Sequence, residues 1–213
     1  MLCMEKSEKK SFLSRILGKA NKTKTDGKRL YNNTKQTTTK IKLALLDLLQ
    51  SKDLSQISIT NLVKVAGIYR ATFYLHYRGL NNVIDDIEQD VYECYENIKL
   101  QMQDIDLYNN IEILISKICE YISIDKKYLN IIINTNCFNR ITLKLRELLF
   151  DILMDNFTRF GHISNSSSML LDIGIYTSSV VFAFRDFINN LDIEIDDIKN
   201  KLNKLYNTLI KNN

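Results

Sequence analysis

The chain has 213 residues, with 45% hydrophobic and 25% charged residues, six glycines and no proline. This is the make-up of an ordinary globular protein, long enough for one large domain or a small one joined to a mid-sized one. It has no run of 18 apolar residues to cross a membrane, and residues 1–20 lack the sustained apolar core of a signal peptide.

Charge is unevenly spread. Residues 1–36 hold ten Lys/Arg against three Asp/Glu, residues 37–87 six against four, and residues 88–213 thirteen against eighteen. A basic front end on an acidic remainder fits an encounter with a polyanion, and fits a solvated basic tail equally well. Cys3, Cys94, Cys119 and Cys137 form no C-x-x-C pair and no metal-site spacing with His76 or His162. They read as inert thiols of a reducing compartment, with no metal and no cofactor expected.

In chain order, residues 1–36 read as a largely disordered basic tail. From Thr37 the pattern changes: Ile41, Ala44, Leu45, Leu48 and Leu49 recur at helical spacing, predicting a helix over about 38–51. Lys40, Lys42, Asp47 and Gln50 are assigned to its solvent face, and Lys52-Asp53 to its end. Ser58 suits the N-cap of a short second helix with Ile59, Leu62, Val63 and Ala66 on one side. Gly67 suits its left-handed stop. A third helix follows over about 69–75, Gly79 breaks the chain, and a long fourth helix carries Val83, Ile84, Ile87, Val91, Tyr95 and Ile98 as its buried stripe. Further helices are predicted over about 108–123, 126–136, 140–159, 168–190 and 194–211, with a Gly/Asn/Ser loop over 161–168 in which His162 reads as solvated.

Residues 58–80 have the parts of a helix-turn-helix: a capped short helix, a tight glycine turn and a second short helix. Ala66, Ile68 and Phe73 suit its core, and Tyr77 suits a wedge between the first and fourth helices. Tyr69, Arg70, Thr72, Tyr74 and His76 fall toward outer faces, where they would meet bases or phosphates.

The run Ala66-Gly67-Ile68, then Arg70-Ala71-Thr72-Phe73-Tyr74-Leu75-His76-Tyr77, closely resembles the signature of the tetracycline-repressor (TetR) family of bacterial regulators. In that family the turn is followed by a small residue, Thr, an apolar residue, Tyr, and then His or Tyr with a further aromatic. The likeness extends over about residues 38–88. It implies that Thr60 faces a phosphate, that Tyr69, Arg70 and Ala71 approach base edges, and that Thr72, Tyr74 and His76 contact phosphate or base. Three positions depart from the pattern. Tyr69 stands where Ser or Asn usually caps the third helix. Leu80 stands near a frequent phosphate-binding Lys, so Arg78 is expected to supply that charge. Asp53 replaces a frequent glycine.

The resemblance implies an all-α fold: a three-helix helix-turn-helix DNA-binding domain over 37–88, and a helical bundle over 89–213 for ligand binding and dimerisation. Phe138, Phe150, Phe157, Tyr176, Phe182 and Phe184 are the expected pocket walls. The expected partners are a palindromic operator in double-stranded DNA, a second copy of the chain and a small effector, in the cytoplasm and away from membranes. The expected activity is that of a repressor released by its effector. The alternative is a helical domain that binds a protein partner. No Gly-rich phosphate loop, H-E-x-x-H motif, Cys/His nucleophile pair or telling carboxylate pair occurs, so no enzyme is expected.

Overall fold

The computed structural model describes residues 26–124, 126–136, 139–162, 167–190 and 192–211. These residues form an all-α bundle: α1 (Asp26–Leu49), α2 (Ile59–Ala66), α3 (Arg70–His76), α4 (Leu80–Met102), α5 (Ile111–Ile124), α6 (Lys126–Asn134), α7 (Asn139–Arg159), α8 (Ser167–Asn189) and α9 (Ile195–Tyr206), with a π-turn at Asn207–Lys211 closing the last helix. Helix α1 starts upstream of the expected boundary at 37, and no proline interrupts it there. Residues 1–25 of the expected tail lie outside the described residues.

The apolar stripes read from the sequence face the interior. Ile41, Leu45, Leu62, Phe73 and Val83 are fully buried where α1, α2 and α3 meet the start of α4. Local chemistry sets the short helices. Ser58 Oγ accepts the Asn61 N–H at 3.1 Å, capping α2. Gly67 ends it at φ 65°, in the left-handed region that glycine enters without a Cβ clash. The Ile68 N–H then donates to the Val63 carbonyl at 3.0 Å, which reverses the chain tightly into α3.

Asp53 has a different role from the helix stop expected of it. It is extended, at φ −67°, and its N–H donates to Gln56 Oε1 at 3.1 Å, which steadies a 3₁₀ turn at Leu54–Gln56. Lys42 also departs from expectation. It is 5% exposed, not solvated, because it reaches α4 and pairs with Asp90 at 2.6 Å and Asp86 at 2.9 Å. Asp86 accepts the Tyr77 hydroxyl at 2.5 Å as well, so the cluster joins α1, α4 and the residue that ends α3.

At the other end of α4 the charged contacts lie nearer the surface, with Lys99 meeting Asp155 at 2.6 Å and the Arg159 guanidinium donating to the Gln103 carbonyl at 3.1 Å, and the buried bonds are uncharged. Asn156 of α7 is buried, accepts the Leu107 N–H at 2.9 Å and donates to the Ile105 carbonyl at 2.8 Å. The Tyr206 hydroxyl donates to the Tyr108 carbonyl at 3.1 Å. His162, expected to be solvated, is instead half-buried. It stacks on Tyr108 with centroids 4.3 Å apart and meets Asp106 Oδ2 at 3.0 Å. Burial raises the Asp106 carboxyl, but hydrogen bonds from His162 and Asn109 outweigh it and hold the group below its ordinary range.

Helix α8 has two apolar faces. One, with Ile173, Tyr176, Val180 and Phe184, is buried against α6, α7 and α9. The other exposes Leu171, Ile175 and Phe182. Among the described residues α8 is the helix long and apolar enough to cross a membrane, with apolar residues on both faces.

Candidate nucleic-acid interface and apolar cavity

Helices α2 and α3 present a polar face built on an apolar seat. Phe73 is fully buried and packs its ring edge-on against Tyr74, at 5.5 Å between centroids. That seat aims the rest of α3 outward. The Arg70 guanidinium lies 3.4 Å from Thr60 Oγ1 on α2, donates to the Tyr74 hydroxyl at 3.2 Å, and sits 5.6 Å from the Tyr74 ring centroid. Thr60, Arg70 and Tyr74 therefore form one exposed ridge across two helices.

Of the other expected contact residues, Tyr69, Ala71 and Arg78 are exposed, and Thr72 and His76 are half-buried. Tyr69 is 85% exposed. It precedes α3 at the N-cap without a side-chain hydrogen bond, in keeping with the absence of Ser or Asn there. Sequence reasoning passed over Leu75, which is 82% exposed. It shares a helix face with Ala71, four residues earlier, and that spacing was the available signal.

Beneath this surface α1 and the end of α3 are tied to α4 by the Lys42 cluster. Burial pushes the Asp90 carboxyl up to about 6, against the opposing hydrogen bond and charge of Lys42. Burial, and then the hydrogen bond to Asp86, push the Tyr77 phenol well above its ordinary range, so it stays a donor. The sequence signal was the i, i+4 spacing of Asp86 and Asp90, which places both carboxylates on one face of α4.

A cavity of about 150 Å³ lies within the bundle between α4, α5, α6, α7 and α8. Its walls are mainly branched aliphatic, with Val91 and Ile98 from α4, Ile132 from α6, Leu145 and Ile152 from α7, and Val181 from α8. Of the expected pocket walls, Phe184 lines it. Phe150 is half-buried elsewhere. Phe157 is fully buried against Tyr108 and Tyr206. Tyr176 is buried beside Tyr206, with no hydrogen-bond partner for its hydroxyl among the described residues. Phe182 is 70% exposed, and Phe138 lies outside the described residues. Helical periodicity separates buried from exposed positions, but it does not say which buried positions border a void.

Cys94 lines the cavity, and Cys119 is buried with its thiol pushed up to about 11 by that burial. Cys3 and Cys137 lie outside the described residues. Among the described residues no group of three His, Cys, Asp or Glu side chains is placed to hold a metal ion.

No protein-family model matches the sequence, and no curated protein matches it. Solved structures do resemble the fold. The Thermus thermophilus FadR structure, a TetR-family transcriptional repressor in complex with lauroyl-CoA, aligns with a TM-score of 0.52 at 17% identity, covering 79% of this chain and 92% of that one. The dihydroxyacetone kinase operon activator DhaS aligns with a TM-score of 0.53 at 18% identity, covering 82% of this chain and 96% of that one. At such identities the likeness establishes the fold: an all-helical bundle of the kind found in TetR-like regulators.

Proposed function

We propose that this chain is a sequence-specific DNA-binding transcriptional regulator, a homodimeric repressor that releases its operator when a small apolar molecule enters the helical domain. The observation that carries the reading is the Thr60–Arg70–Tyr74 ridge, raised on a buried Phe73 seat in a fold that DNA-binding regulators share. Residues 37–88 act as the helix-turn-helix unit and residues 89–213 as the effector and dimerisation unit.

Arg70 is suited to bidentate hydrogen bonding to a guanine edge, and the apolar face of Ala71 and Leu75 to thymine methyls. Thr60, Thr72, Tyr74, His76 and Arg78 supply hydrogen bonds and charge for phosphates, and Tyr69 reaches a base edge or the backbone. The exposed face of α8 supports dimerisation. Leu171, Ile175 and Phe182, with Ser178 between them, make an apolar stripe that a second copy would cover. A two-fold dimer sets its recognition helices about 34–36 Å apart, in successive major grooves.

The cavity supports effector control. Its walls include α4 and α6, and both helices pack on α1. A molecule that favours another arrangement of these helices changes the spacing of the recognition helices and weakens DNA binding. An open apolar cavity favours a small effector over a protein partner for this domain. Catalysis has no support from the groups around the cavity, and a DNA regulator of this type is expected in the cytoplasm.

Selection from a random pool of DNA duplexes tests the reading. It should enrich an inverted repeat with half-sites one helical turn apart. Enrichment of no sequence would contradict it.

A further inference from the structure

The chemistry of the cavity narrows what can enter it. Among the described residues that line it, Arg185 is the one charged group, and no Asp, Glu, Lys or His is present. The cavity surface is almost wholly apolar and Arg185 is exposed, so Arg185 borders the cavity with its aliphatic stem and carries its guanidinium to solvent at the rim. It makes no ion pair with any described residue. The Tyr95 phenol also lines the cavity, but its proton is committed to the Leu148 carbonyl at 2.8 Å. Burial first, then the nearby Glu96, Asp151 and Asp155, hold that phenol well above its ordinary range. Tyr95 therefore has no proton to offer a ligand, and Arg185 is left with a charge that no described residue matches.

An aliphatic slot with one guanidinium at its rim, unpaired among the described residues, suits one class of ligand. A cation would meet Arg185 unfavourably, and a neutral hydrocarbon would leave that charge unused. A carboxylate receives two parallel hydrogen bonds from a guanidinium. We propose that the effector is an aliphatic carboxylic acid, its chain among Val91, Ile98, Ile132, Leu145 and Ile152 and its carboxylate on Arg185. The proposal rests on the reading of this cavity as the effector site and adds the class of the effector. The volume of about 150 Å³ is one that holds a benzene-sized guest in an engineered apolar cavity, so the tail is short, roughly six to eight carbons.

Calorimetric titration of the full-length protein with the sodium salts of the C4 to C12 straight-chain acids, with 1-octanol and with octylammonium chloride tests this. Affinity should rise roughly fourfold per methylene up to about C8 and then level off. Octanoate should bind about tenfold more tightly than 1-octanol, and octylammonium more weakly than either. Arg185→Gln, at an exposed position, should bring octanoate down to the level of 1-octanol and leave 1-octanol unchanged. Val181→Phe, which narrows the slot, should weaken both.

Equal affinity for the acid and the alcohol in the unaltered protein would overturn the proposal. So would an acid preference that survives Arg185→Gln, octanoate binding indifferent to Val181→Phe, or no binding by any of these compounds. Operator binding measured in parallel separates the two levels of the argument. If octanoate binds with this selectivity and DNA is retained, the ligand class stands and the release mechanism fails. If another compound releases DNA while the acids do not bind, the release mechanism stands and the ligand class fails.

Discussion

The two ends of α4 bury different chemistry: an ion pair at one, uncharged bonds at the other, where the Lys99–Asp155 and His162–Asp106 pairs lie nearer the surface. Near its N-terminus, Asp86 and Asp90 meet the buried Lys42 of α1, with Tyr77 donating to the same carboxylate. Just past its C-terminus, the chain is held by the Asn156 amide and the Tyr206 phenol, each bonding to backbone groups. The first joint lies under the exposed Thr60–Arg70–Tyr74 ridge and can gain or lose a proton. The second lies far from that ridge, and both of its side chains stay neutral across the ordinary pH range. A proton exchanged at the first joint therefore acts next to α1 and the end of α3, while the buried bonds of the second joint do not change with pH.

The largest effect that would break this contrast is expected from Lys42→Met. It removes the cation and leaves Asp90, 7% exposed, with a carboxylate that has lost its partner. A loss of about 3–5 kcal/mol is expected in urea unfolding at neutral pH. It should shrink in acid, where Asp90 takes up a proton.

Asn156→Leu should cost somewhat less, about 2–4 kcal/mol, by orphaning the Leu107 N–H and the Ile105 carbonyl. Its cost should be the same at pH 5 and pH 8. A pH-dependent cost there would erase the distinction between the two joints.

Asp90→Asn gives the smallest effect and isolates the titration. The folded-state value of about 6 lies above the ordinary 3.8, so between those pH values the folded chain binds the extra proton. The Asp90 contribution to stability is therefore fully present below about pH 4 and is lost as pH rises through 6. Relative to Asp90→Asn, the unaltered protein should lose on the order of 2 kcal/mol between pH 4 and pH 7. A flat difference would show that Lys42 fully offsets the burial of Asp90.

The sequence made the helices legible because burial on a helix repeats every 3.6 residues. Ile41, Leu62, Val83 and Ile198 declare themselves by spacing alone. The Ser58 cap and the Gly67 stop were legible for a local reason, since each acts on backbone within a few residues. The partners of Lys42, Asn156 and His162 lie roughly fifty residues away in sequence, and no periodic pattern carries that pairing. A lysine at position 42 reads as solvent-facing until α4 is laid against it. The cavity was the least legible feature, because a void depends on how five helices fail to fill one space. Phe184 lines the cavity, while Phe182, two residues earlier and on the opposite face, is exposed.

The most direct test of the account is fluorescence anisotropy of the purified protein on its selected operator and on unrelated DNA, across a salt series, beside an Arg70→Ala/Tyr74→Phe double variant. The account predicts tight binding to the operator, far weaker binding to unrelated DNA, and a loss of about 10- to 100-fold in the variant on the operator alone. Weak binding that follows salt only, equal for all DNA and unchanged in the variant, would contradict it.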